Sequence, residues 1–155
     1  MSRFLTELHL RTLAGEKLKN KPFQLLQDLK YKTDVLKRED KMVYILTIPR
    51  GYRTDLLTIP RAARWVFSIA CKGRNASIPH DYLCHPRDKE GTPIPRLCSS
   101  DEAADIFKEA LLDLGVGKKK AGTMSWFVRK YGPQFKEGDG FTPKIDYVIV
   151  EEGSA

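Results

Sequence analysis

Apolar and polar residues alternate with a period of two along the first third of the chain, and recur every three to four residues along most of the remainder. In residues 3–10, Phe4, Thr6, Leu8 and Leu10 alternate with Leu5, Glu7 and His9, the pattern of a strand with one face on a core. A second run, residues 22–33, alternates through Phe23, Leu25, Gln27, Leu29 and Tyr31. A third, residues 42–49, is rich in β-branched and aromatic residues. The charged stretch 37–41 reads as the hairpin turn between them, so the N-terminal third is expected to be an antiparallel sheet.

The helical period begins after Pro60, which suits a first helical turn and leads into RAARWVFSIA. A second helix is expected to start near Ile78-Pro79 and carry HDYLC. The clearest helix is 100–114, with Ser99 or Ser100 as its cap, Asp101 and Glu102 in its first turn and Gly115 as its stop. Ala103, Ile106, Phe107, Ala110, Leu111 and Leu114 form its apolar stripe. Asp105 falls on the other side with Asp101 and Leu112, and a leucine there predicts a helix covered on both sides, with Asp105 partly buried. A last helix, 118–130, groups Met124, Phe127, Val128 and Tyr131, and Trp65 and Trp126 are expected in the core. Residues 134–143 read as loop, 144–150 as an edge strand and 151–155 as a frayed end. Together these elements predict an α+β fold, an N-terminal antiparallel sheet packed against three or four helices, in one domain over 1–155.

Composition changes this picture little. Apolar residues at 41% and charged residues at 30% are ordinary globular usage, and no run is long enough to cross a membrane. The alternating N-terminus does not resemble a signal peptide, so the chain is expected to start at Met1 and not to be exported by one. Three cysteines, Cys71, Cys84 and Cys98, are expected as thiols in a reducing compartment. A net charge of +7 favours anionic lipid or nucleic-acid surfaces as partners, although the cations are spread along the chain.

Candidate chemistry centres on His80. An imidazole titrates near neutral pH and works as a general base when a carboxylate holds its far nitrogen, and Asp105 is the candidate for that role. Adjacent residues on a helix point about 100° apart, which leaves Asp81 for another task such as holding a hard cation, calcium being the candidate. The segment 49–60, PRGYRTDLLTIP, would shape a loop beside them: Gly51 can take a positive φ, and Thr54, Asp55 and Thr58 can bond backbone or substrate. Asp55 also suits an ordinary turn. His80, Cys84 and His85 offer metal-ligand atoms, but no paired C-x-x-C spacing accompanies them. No G-x-S-x-G, Walker or dinucleotide motif occurs.

The blocks P-x-G-Y-x-T-D-L-x-T-I-P, H-D-Y-L and A-A-D-I-F-x-x-A-L-x-x-x-G-V, in that order, resemble the phage and prophage family catalogued as domain of unknown function 1353. The resemblance runs over about residues 23–132. Departures are Leu57, Thr58 and Cys84, where the family tends to Ala, Ser and an aromatic. Membership implies a phage-related source. The His-Asp helix followed by an Ala-Asp helix is also similar to the layout of phospholipases A2. That resemblance implies His80 as the water-activating base, Asp81 as a calcium ligand and Asp105 as the acid behind the histidine. Cys84 stands at the tyrosine position, and the Gly-rich calcium loop is lacking in its usual form. Two functions follow as expectations: a small hydrolase of an ester or amide in a cell-envelope or lipid component, with His80 as base, or a non-enzymatic virion or assembly protein, bound to other phage proteins, in which the polar cluster is a brace.

Overall fold

The computed structural model describes residues 3–13, 23–36, 44–54 and 73–140. Among these residues the N-terminal third forms five short strands: β1 Leu10–Thr12, β2 Phe23–Leu25, β3 Leu29–Thr33, β4 Tyr44–Ile48 and β5 Arg53–Thr54. Every pairing is antiparallel, with β2 between β1 and β5 in one sheet and β3 beside β4 in another. In β3, Leu29, Tyr31 and Thr33 turn inwards opposite Ile48, Leu46 and Tyr44, while Lys30 faces solvent opposite Thr47. A slip of one residue would turn the apolar set outwards, so burial fixes this register.

The alternation expected over residues 22–33 is broken at Leu26-Gln27-Asp28. Polar groups hold the break: the Asp28 carboxylate accepts from Arg50 N–H at 2.8 Å, and the exposed Gln27 amide donates to the Glu7 carbonyl at 2.8 Å. The strand expected over 3–10 is likewise interrupted. Phe4 bridges to Tyr31, but the Thr6 hydroxyl takes the Lys30 N–H at 3.0 Å in place of a backbone acceptor, and a regular ladder resumes only at Leu10. Its inward set is still half-buried Phe4, Thr6, Leu8 and Leu10, and its outward set exposed Leu5, Glu7 and His9.

Three helices follow among the described residues: α1 Gly73–Cys84, α2 Ser100–Asp113 and α3 Lys118–Tyr131. Helix α1 begins well before the Ile78-Pro79 expected from sequence and carries Pro79 inside it. Proline disfavours helix at the residue before it, but burial of Ala76, Ser77 and Ile78 outweighs that preference. Helix α2 starts with a capping box, in which Ser99 Oγ accepts from Glu102 N–H and the Glu102 carboxylate accepts from Ser99 N–H. It stops at Gly115, whose φ of 88° lets Gly115 and Val116 N–H groups close on the Leu112 and Leu111 carbonyls.

Helix α2 packs on α1 with one side and on α3 with another. The inward face of α3 is Ala121, Met124 and Ser125, and Ser125 Oγ donates to the Ala104 carbonyl at 3.1 Å. These small residues set the rotation of α3, which leaves Phe127 half-buried, Tyr131 56% exposed and Trp126 50% exposed. Trp126 is therefore a surface residue, against its expected core role. Strand residues Leu25, Leu29, Leu46 and Ile48 join α1 and α2 in one hydrophobic cluster, an α+β architecture as the sequence predicts.

Beyond α3, Arg96 clasps the segment 134–140. Its main chain exchanges hydrogen bonds with Gly138 and Asp139, both 2.8 Å, and its guanidinium donates to the Cys84 and Gly140 carbonyls at 3.1 and 2.6 Å while covering the Phe135 ring. The helix expected after Pro60, the edge strand 144–150, the end 151–155, and Trp65 and Cys71 lie outside the described residues.

Candidate functional site

Helix α1 carries His80 and Cys84 four residues apart, on one face. Cys84 Sγ lies 3.8 Å from Nε2 and 3.9 Å from Nδ1 of the half-buried His80 ring, and the ring tilts against Phe107 of α2 at 5.5 Å between centroids. Burial among these groups pushes the His80 pKa down to about 4, against a smaller raising pull from the Asp81 carboxylate. The imidazole is therefore neutral at physiological pH and a weaker base than a free histidine.

Asp105 is not brought to His80. It projects from the other side of α2, 50% exposed, and takes a short ion pair with Arg129 of α3, which also stands 3.9 Å from Asp101. Leu112 on that side is 40% exposed, so among the described residues neither it nor Asp105 is buried as the leucine led one to expect. A shallow open groove of about 470 Å³ lies on the same side, lined by Arg3, Asp105, Lys108, Glu109, Leu112 and Asp113. Ion pairs and hydrogen bonds fasten the N-terminal segment across it. Arg3 meets Asp34 at 2.7 Å and Glu109 at 3.4 Å, and the Tyr31 hydroxyl donates to Glu109 at 3.0 Å. Burial and then the Glu109 charge push the Tyr31 hydroxyl well above its usual pKa.

Asp81 is half-buried, with Oδ2 turned inside. A calcium ion needs six to eight oxygens. Among the described residues no group of three His, Cys, Asp or Glu side chains is placed to hold a metal, so these residues do not assemble a calcium site round Asp81. Asp55 and Thr58 lie outside the described residues. Gly51 and Thr54 have backbone roles. Gly51, at φ 90°, makes the reversal in which Tyr52 N–H meets the Pro49 carbonyl at 3.1 Å, and its own carbonyl accepts from the buried Gln24 amide. Thr54 is buried in β5 opposite Phe23.

The G-Y and H-D-Y segments do meet, through their tyrosines. Tyr52 and Tyr82 make an edge-to-face pair at 5.2 Å. The Tyr52 hydroxyl donates to the His85 carbonyl at 3.0 Å and the Tyr82 hydroxyl to the Arg87 carbonyl at 3.3 Å. Burial pushes the Tyr82 hydroxyl up to about 12. The two rings thus satisfy carbonyls at and just beyond the C-terminal end of α1, a role readable in advance only from an aromatic directly after a turn glycine. Arg129 was legible in a different signal, the Asp101/Asp105 pair spaced by one helical turn, which asks for a cation on the next helix.

Among the described residues, two short antiparallel sheets share a hydrophobic core with three helices, which is the α+β class. Within it, residues 23–128 match the family described as protein of unknown function (DUF1353), and the chain belongs to that family. No curated protein and no solved structure matches the chain.

Proposed function

We propose that the chain is a non-enzymatic phage virion or assembly protein, of the head or tail, in which the His80 cluster braces α1 against α2. The observation that carries this reading is the separation of the two groups a hydrolase would pair. His80 lies on the Phe107 side of α2 and Asp105 on the Arg129 side. Among the described residues no carboxylate is placed to orient the imidazole, and a ring held near pKa 4 offers packing and hydrogen bonding more than proton transfer at neutral pH. The resemblance to phage and prophage proteins supports a role in the particle or in host cytoplasm during its assembly.

A specific observation favours a second reading, the hydrolase with His80 as general base. The ring is half-buried, not sealed, and its neutral form is the one a base requires. One experiment separates the two. The wild-type chain and His80→Gln are assayed, with and without calcium, on chromogenic esters, anionic phospholipid and peptidoglycan, and both are melted. The brace reading expects buffer-level turnover from both and a lower melting temperature for the variant. Turnover by the wild type that the variant lacks would overturn it in favour of the hydrolase.

A further inference from the structure

Helix α3, KKKAGTMSWFVRKY, carries five cations and no acid. Helical spacing sets Lys119, Trp126 and Lys130 along one line of its surface and Lys120, Phe127 and Tyr131 along the neighbouring line. Trp126 and Tyr131 are 50% and 56% exposed. Their rings form one patch with Phe127: Trp126 meets Phe127 edge-on at 5.1 Å and Tyr131 at 6.3 Å, and Phe127 and Tyr131 stack at 5.9 Å. The Lys130 ammonium sits 4.8 Å over the indole and 5.8 Å from the Tyr131 ring. Ala121, Met124 and Ser125 of the same helix are buried, so the patch is presented on a fixed element.

We propose that this face of α3 docks on an anionic lipid surface. Charge selects an anionic occupant, since a strip with cations at both ends repels a second copy of itself laid face to face. Ring geometry then chooses among anions. Single-stranded nucleic acid needs open ring faces on which bases stack. Here Lys130 covers one face of Trp126, and Phe127 and Tyr131 cover each other. What the patch offers is an exposed indole and phenol bordered by ammonium groups along one helix. That arrangement suits the headgroup level of a bilayer, where amphipathic aromatics settle and lysines reach phosphate. The helix is too short to cross a membrane, and docking requires only that it lie flat.

The test uses the full chain with sedimenting vesicles of phosphatidylcholine alone and of phosphatidylcholine with about one part in four phosphatidylserine. The chain is expected to co-sediment with the mixed vesicles and not with the neutral ones, less so as salt rises. Trp126→Ser, and separately Lys119→Glu with Lys120→Glu, should each weaken binding at least about tenfold, with melting temperature unchanged because all three side chains are exposed. Absence of binding to mixed vesicles, or binding that neither variant changes, overturns the proposal. So does a thymidine oligonucleotide whose binding depends on Trp126 while vesicle binding does not.

Discussion

The two sides of helix α2 solve the problem of ionisable groups in opposite ways. On the side facing α1, Phe107 presses on a neutral His80 beside Cys84, and burial sets the state of the ring. On the side facing Arg129 and the N-terminal segment, exposed Asp101 and Asp105 and the more enclosed Glu109 are met by arginines. The first side fixes the charge state of its group by burial, while the second pairs its groups with opposite charge. Asp105 and Phe107 are only two residues apart, yet that offset is about 200° of rotation, enough to put the helix itself between acid and imidazole.

Breaking the buried side should have the largest effect. Phe107→Ala is expected to cost about 3–5 kcal/mol in denaturant unfolding, from lost burial plus the cavity left behind. It should also let the His80 pKa rise towards its ordinary 6.5, read by NMR titration. Next comes pH. Because folding lowers the His80 pKa, its contribution is complete above 6.5, where the ring is neutral in both states, and is lost as pH falls from 6.5 to about 4. For a ring that is half-buried, this difference between wild type and His80→Gln should be about 1–3 kcal/mol across the window. Ser99→Ala, which removes half of the capping box, should cost about 1 kcal/mol. The smallest effect belongs to the solvent side: Asp105→Asn should change stability by no more than about 0.5 kcal/mol and leave the His80 titration where it was. A shift of His80 in that variant would erase the distinction between the two sides.

Periodicity made the ends of α2 and α3 legible, because Ser99, Glu102 and Gly115 act locally and need no distant partner. It also predicted that Leu25, Leu29 and Tyr31 face inwards, but not that Gln27 is exposed. It could not show where the ladders break, since Thr6 and Asp28 interrupt them through hydrogen bonds to residues more than twenty positions away. The start of α1 was missed for a related reason, local proline chemistry yielding to burial of Ala76 and Ile78. For the site, sequence marked His80 as the group in an unusual setting. The partner assigned to it was wrong in space because helical phase separates faces but does not say which neighbour each face meets. Trp126 shows the same limit: the small residues Ala121 and Ser125, and not the large apolar ones, determine how α3 is turned.

The Arg96 clasp has a kinetic consequence. It joins the end of α1 to Gly140, forty-four residues along the chain from Arg96, so its full set of bonds spans α2 and α3. Closing a loop of that length costs chain entropy, and the exposed residues beyond the Phe135 anchor can open at lower cost than the core. Residues 134–140 should therefore exchange amide hydrogens, and admit protease, through an opening of their own that leaves the α1–α2 seam protected. In Arg96→Ala that opening would become the resting state of the segment.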